Sequence, residues 1–255
     1  MSMKTIAIIP ARIGSQRLPR KPLRLLGDLP IVVHVYNRAS RYADLAVVAT
    51  DSQEILDAVE AHGGKAIMTS PDHQSGTDRC LEAYRKSGFV ADVIINVQGD
   101  EPFVSKEHLD LLRSAFEDAR TDIATLCIDL AKEGDVSELA KNPNVVKVVR
   151  DLSDNALYFS RLPIPYSRKD EGGIPADLSG VYYKHLGMYA YRPEALEKVC
   201  ALPRSPYECI EMLEQLRWLQ NGFRIVCRET DIPTIGIDTE EDLETAWRVL
   251  AENIG

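Results

Sequence analysis

The chain has 255 residues, 45% of them hydrophobic and 27% charged, with a formal net charge of −9 at pH 7. That length buries a full core without staples, the composition is that of a soluble globule, and no apolar run is long enough to span a bilayer. The acidic surplus disfavours a nucleic acid as main partner, and five scattered cysteines without C-x-x-C spacing indicate neither a zinc site nor a disulfide framework, only small buried hydrophobes.

"TIAIIP", from Thr5, is a strand whose apolar start is too short for a signal sequence, so a cytoplasmic protein outside the membrane is expected. A helix-like stretch at 30–42, the strand "LAVVAT" and a polar helix from Asp51 to His62 follow. A third strand precedes "SPDHQSGTDR"; then come a helix at 77–87, "VIINV" at 93–97, a helix at 105–118 and "IATLCI" at 123–128. Strands apolar on both faces and separated by helices predict an α/β fold, a doubly wound, mostly parallel sheet covered on both sides. Past residue 130 the pattern changes: "NVVKVVR", "ALYFSRLPIPYSR" and "YKHLGMYAYRP" predict a β-rich lobe inserted at about 130–190 within a single domain of residues 1–255. Two helices close the chain. "PYECIEMLEQLRWLQNG" reads as one helix ended by Gly222, and "DTEEDLETAWRVLAENI" as another capped by Asp238 or Thr239.

Directly after the first strand, Arg12, Arg17, Arg20, Lys21 and Arg24 occur with no acid among them. In open α/β sheets ligands bind outside the carboxyl ends of the strands, where backbone amides near Gly14 and Ser15 can join these cations in holding a triphosphate. A solvated charged loop is the competing interpretation. Neither G-x-G-x-x-G nor G-x-x-x-x-G-K-[ST] occurs, which argues against a dinucleotide fingerprint and a P-loop.

"IIPARIGSQRLPRKPL" resembles the R-x-x-S-x-R-L-P-x-K-P-L signature of sugar-activating cytidylyltransferases. "MTSPDHQSGTDR", "NVQGDEP", "NPNVVKVV", "ALYFSRLPIPYSR", "KHLGMYAY", "IEMLEQLR" and "GIDTEEDL" are similar to successive motifs of the branch acting on 3-deoxy-manno-octulosonate (Kdo), in order from residue 5 to about 247. The resemblance implies the nucleotide-diphospho-sugar transferase fold, a Rossmann-like sheet sandwiched by helices with a dimerisation lobe, hence a homodimer. It implies the reaction of CTP with Kdo to give CMP-Kdo and pyrophosphate for lipopolysaccharide assembly.

By the same resemblance CTP meets Pro10, Ala11, Arg12, Ser15, Arg17, Lys21, Ser75, Gly76, Thr77, Arg79 and Gln98. Arg12, Lys21, Asp100 and Asp238 form the catalytic set. Mg²⁺ is the implied cofactor, since a hard cation takes one or two carboxylates plus phosphates; Asp100 ends a buried strand and Asp238 comes from the far end of the chain. Asp238 can equally cap the last helix, and one carboxylate has lone pairs for both roles. The sugar acid is expected at Gln98, Arg161, His185, Tyr189, Glu211, Glu214 and Gln215, with Glu211 and Gln215 at i and i+4 on one helix face whose apolar side is Met212, Leu213 and Leu216. His185 in an apolar strand fits a satisfied core group as well as a ligand contact. Two other outcomes stay open: a cytidylyltransferase for 8-amino-Kdo or another nonulosonic acid, and a non-catalytic sugar-nucleotide-binding module.

Overall fold

The computed structural model describes residues 3–14, 17–168, 172–175 and 178–252. Its strands are β1 (Thr5–Ala11), β2 (Leu25–Leu26), β3 (Leu29–Pro30), β4 (Leu45–Thr50), β5 (Ala66–Met68), β6 (Val93–Asn96), β7 (Ile123–Asp129), β8 (Lys147–Arg150), β9 (Ala156–Ser160), β10 (Tyr183–Tyr191) and β11 (Ile225–Glu229). Its α-helices are α1 (Ile31–Ala39), α2 (Gln53–Ala61), α3 (Gly76–Ser87), α4 (Lys106–Ser114), α5 (Val136–Lys141), α6 (Pro193–Ala201), α7 (Pro206–Glu211), α8 (Gln215–Gln220) and α9 (Glu240–Glu252). The chain divides into two compact units, Met1–Leu109 with Thr234–Gly255, and Asp110–Pro233. The expected lobe at 130–190 falls inside the second unit.

In the first unit β6, β1, β4 and β5 lie side by side and all pair in parallel. Ile6, Ala7, Ile8 and Ile9 of β1 are wholly buried, as a central strand covered on both faces requires. α1 and α3 pack against β1, and α2 against β4 and β5. Because β1 is flanked by β4 on one side and β6 on the other, the strand order reverses there. The crevice outside the carboxyl ends of β1 and β6 is therefore the switch point at which such sheets bind ligands. A second small core joins Leu18 of the basic loop to Leu26, Ile31, Ile237, Leu243 and Ala246. It ties the loop to the segment that enters α9.

The second unit is mixed: β11 pairs with β7 in parallel, whereas β7–β10, β10–β8 and β8–β9 are antiparallel. The expected parallel arrangement thus belongs to the first unit and to one pair of the second. The expected single helix across "PYECIEMLEQLRWLQ" is two, α7 and α8, separated by Met212 at φ 53°. Glu211 and Gln215 therefore do not share a helix face. Met212 is 69% exposed, a correction to its placement on the apolar side, while Leu213 and Leu216 are buried as expected. Gly222 at φ 79° follows α8, the left-handed position a terminal glycine serves. Of the cysteines, Cys80, Cys127 and Cys227 are buried, but Cys209 is exposed and Cys200 only partly covered.

Candidate active site

A cavity of about 710 Å³ opens in the first unit at the ends of β1 and β6. It is lined by Pro10, Ala11, Arg12, Gly14, Arg17 and Lys21 of β1 and the basic loop, by His73 to Gly76 and Arg79 at the start of α3, and by Gln98, Gly99, Asp100 and Asp238, called its floor below. Of the residues expected to meet CTP, Thr77 is buried in α3, outside the cavity lining, and Ser15 lies outside the described residues.

Two close approaches build the floor. Ile237 N–H donates to the Asp100 carbonyl at 3.0 Å, which brings Asp238 beside Asp100 although 137 positions separate them in the chain. At Gly99 a Cβ would stand 2.6 Å from the Pro10 carbonyl oxygen, so only glycine lets β1 and the turn after β6 come this close.

Lys21 Nζ donates to Asp100 Oδ2 at 2.5 Å and Asp238 Oδ1 at 2.9 Å, and Arg17 donates to Asp238 Oδ2 at 2.9 Å. Burial works against the Lys21 charge, but the two carboxylates outweigh it and raise its pKa above the ordinary lysine value. The remaining cations of the loop divide. Arg20 pairs with Glu54, and Arg24 grips Glu240 with both terminal nitrogens at 2.6 and 2.8 Å, so these two brace the loop. Arg12 stays exposed on the cavity wall. Asp238 is not the cap of α9; Thr239 is, its Oγ1 accepting from Asp242 N–H while Asp242 accepts from Asp238 N–H and Thr239 N–H.

Also at the cavity, Ser75 caps α3, its Oγ accepting from Asp78 N–H at 3.1 Å. The positive end of a 12-residue helix thereby faces the cavity at Gly76, a setting suited to an anion. The Arg79 guanidinium is buried on Thr69 Oγ1 at 2.5 Å and Asp51 at 2.7 Å, which fixes α3 to the strand ends. His73, which pairs with Glu82, and Gln74 also line the cavity without having been assigned a role from sequence. Their position inside "SPDHQSG" was the available signal. Gln98 donates to Asn96 Oδ1 at 3.3 Å.

The other residues expected to meet the sugar acid gather in the second unit around β9, β10, α7 and α8. Glu211 accepts from Ser160 Oγ at 2.7 Å and Arg161 N–H at 2.9 Å. The Arg161 side chain donates to the carbonyls of Glu211, Pro143 and Met212 at 2.7, 3.0 and 3.5 Å. Glu214 accepts from Arg217 at 2.6 Å, and Gln215 is buried. The His185 ring, only partly accessible, lies edge-on to Phe159 and 3.0 Å from Thr125 Oγ1, and desolvation pushes its pKa down to about 3. It is a neutral ring, partnered by Thr125 and packed beside Phe159 and Tyr189. Tyr189 stands beside it with a buried hydroxyl that has no hydrogen-bond partner among the described residues.

A cytidylyltransferase family model matches residues 6–229. The chain is 48% identical over 255 residues to the 3-deoxy-manno-octulosonate cytidylyltransferase of Phocaeicola vulgatus, covering 99% of this chain and 100% of that one. The Thermodesulfovibrio yellowstonii protein of the same name is 47% identical, with 97% and 98% covered. A solved structure of CMP:2-keto-3-deoxy-manno-octonic acid synthetase complexed with CTP superposes with a TM-score of 0.87 at 42% identity, covering 98% of this chain and 99% of that one. The basic loop, the paired carboxylates and likeness over the full length agree, and the chain belongs to the 3-deoxy-manno-octulosonate cytidylyltransferase family.

Proposed function

We infer that the chain transfers CMP from CTP to the anomeric hydroxyl of Kdo, releasing pyrophosphate and activating the sugar acid for lipopolysaccharide assembly. The observation that carries this is the cavity floor, where Lys21 and Arg17 are held at Asp100 and Asp238 in a space open to a polyanion. Arg12, Arg17 and Lys21 hold the triphosphate, and the amino-terminal end of α3, which also lines the cavity, adds positive potential. The Kdo hydroxyl attacks the α-phosphorus, the bond to the pyrophosphate oxygen breaks, and the same cations receive the charge that builds on the leaving group.

The donor set fits a hard divalent cation: Asp100 and Asp238 bring carboxylate oxygens together beside the cavity, and the Lys21 and Arg17 side chains that now hold them can turn to the phosphates. Asp100 and Asp238 would hold Mg²⁺, which when bound neutralises phosphate charge and makes the attacking hydroxyl more acidic. Lys21 would then turn toward the phosphates. Arg161, Glu211, Glu214, Gln215 and Tyr189 are assigned to the sugar acid, whose carboxylate and hydroxyls call for one cation and several acceptors.

We place the enzyme in the cytoplasm and as a homodimer. Supporting the first are five free cysteines and, among the described residues, no helix long and apolar enough to cross a membrane. Supporting the second are Leu157, Leu162, Tyr166 and Ile210 of the second unit, all exposed; light scattering at twice the chain mass is expected.

Pyrophosphate release with CTP and Mg²⁺ tests the reaction. Release strongest with Kdo is expected. Release confined to 8-amino-Kdo or N-acetylneuraminate would move the sugar assignment, and none from folded, CTP-binding protein would overturn catalysis.

A further inference from the structure

Lys147 is 0% exposed, an uncommon place for a lysine in a four-residue strand. Its Nζ donates to the carbonyls of Asn142, Val145 and Arg161 at 2.9, 2.5 and 2.6 Å. Three acceptors match the three protons of an ammonium, so the charge is satisfied by backbone alone. The acceptors come from two places: the turn between α5 and β8, and the residue that leaves β9. Arg161 closes the loop from the other side, because its guanidinium donates to Pro143 in that same turn and to the Glu211 carbonyl. The Arg161 N–H then holds the Glu211 carboxylate at 2.9 Å.

We propose that Lys147 is a positioning residue, whose ammonium clamps the 142–145 turn to the Arg161 backbone and so orients the Arg161 guanidinium and Glu211 carboxylate toward the sugar acid. This rests on the assignment of Arg161 and Glu211 to the sugar acid. A neutral amine has only two protons for three carbonyls, and its lone pair would face an oxygen. The clamp therefore depends on protonation. Burial pushes the Lys147 pKa down to about 8, opposed by Glu211 and reinforced by Arg161, the two charged side chains that act on it. The ammonium is present below that pH and lost above it.

The test is full-length Lys147→Met, which keeps the bulk and removes the charge. The Michaelis constant for Kdo is expected to rise about tenfold to a hundredfold. The turnover number at saturating Kdo and the constant for CTP should stay within about twofold, the signature of lost binding as opposed to lost structure. The wild type's Kdo constant should climb as pH passes about 8 and the variant's should not. An unchanged Kdo constant, or an equal fall in turnover with both substrates, overturns the proposal. Should the variant fail to fold, the wild-type profile decides: a rise for Kdo with a flat CTP constant supports the clamp, and a flat Kdo profile overturns it. Arg161→Ala separates the two levels. If it leaves the Kdo constant unchanged, the sugar assignment falls and the clamp with it; if it impairs Kdo binding while Lys147→Met does not, only the clamp falls.

Discussion

Two clusters of charge, one in each unit, are satisfied in opposite ways. In the first, Lys21 and Arg17 are satisfied by the carboxylates of Asp100 and Asp238 beside an open cavity. In the second, Lys147 and Arg161 are satisfied mainly by backbone carbonyls. Side-chain pairs can exchange one partner for an arriving phosphate or cation, whereas a carbonyl cage can be left only by remodelling the chain. The first cluster can thus trade partners with an arriving anion or cation. The second holds a fixed polar surface.

The largest expected effect breaks the exchangeable side of that contrast. Asp100→Ala or Asp238→Ala should lower turnover by about a thousandfold or more while the melting temperature moves little, since Lys21 keeps one carboxylate in each. Steady-state pyrophosphate release and thermal melts check both halves. Near-normal turnover in either variant would remove that carboxylate from the chemistry.

Gly99→Ala comes next. The added Cβ would stand 2.6 Å from the Pro10 carbonyl oxygen, so β1 and the floor must separate. About 1–3 kcal/mol of stability should be lost, as for other overpacked sites, with weaker CTP binding. Urea unfolding showing an unaltered midpoint would mean that the floor yields freely.

Met212→Gly probes the fixed side and should have the opposite sign. A left-handed residue without glycine is strained, so relieving it at φ 53° should stabilise the protein by about 0.5–1 kcal/mol, read as a raised midpoint. A loss of stability would show that the exposed Met212 side chain contributes more than its backbone costs.

The smallest effect concerns acid. Burial pushes the Glu82 pKa up, but Lys86, the Ser70 N–H and His73 outweigh it and hold the carboxyl down at about 2, against 4.5 unperturbed. A depressed pKa contributes stability that is full above the unfolded value and is lost as pH falls from about 4.5 toward 2. Glu82→Gln should therefore be less stable than wild type near neutrality, with the gap narrowing through that window. A gap independent of pH would contradict the assigned network.

Much of the first unit was legible in the sequence because its strands are short, apolar on both faces and separated by amphipathic helices. The basic loop announced itself by five cations without an acid, but that Arg20 and Arg24 serve as braces depends on Glu54 and Glu240, which only folding brings near. The break at Met212 was invisible for a comparable reason. The stretch from Pro206 to Gln220 carries an unbroken helical pattern, yet Arg161 takes the Glu211 and Met212 carbonyls that a continuous helix would use. Lys147 was equally hidden: a lysine between valines in "NVVKVVR" looks like the solvent side of a strand until its three carbonyls are seen. Asp238 beside Asp100 was reachable only through family resemblance, since local sequence offered a helix cap that Thr239 provides instead.

Calorimetric titration of CTP into wild type, Lys21→Met and Arg161→Ala tests the division of labour most directly. Affinity should fall about a hundredfold in Lys21→Met, where a charge-assisted phosphate contact is lost, and stay at the wild-type value in Arg161→Ala. Equal losses in both variants, or a loss only in Arg161→Ala, would contradict that division.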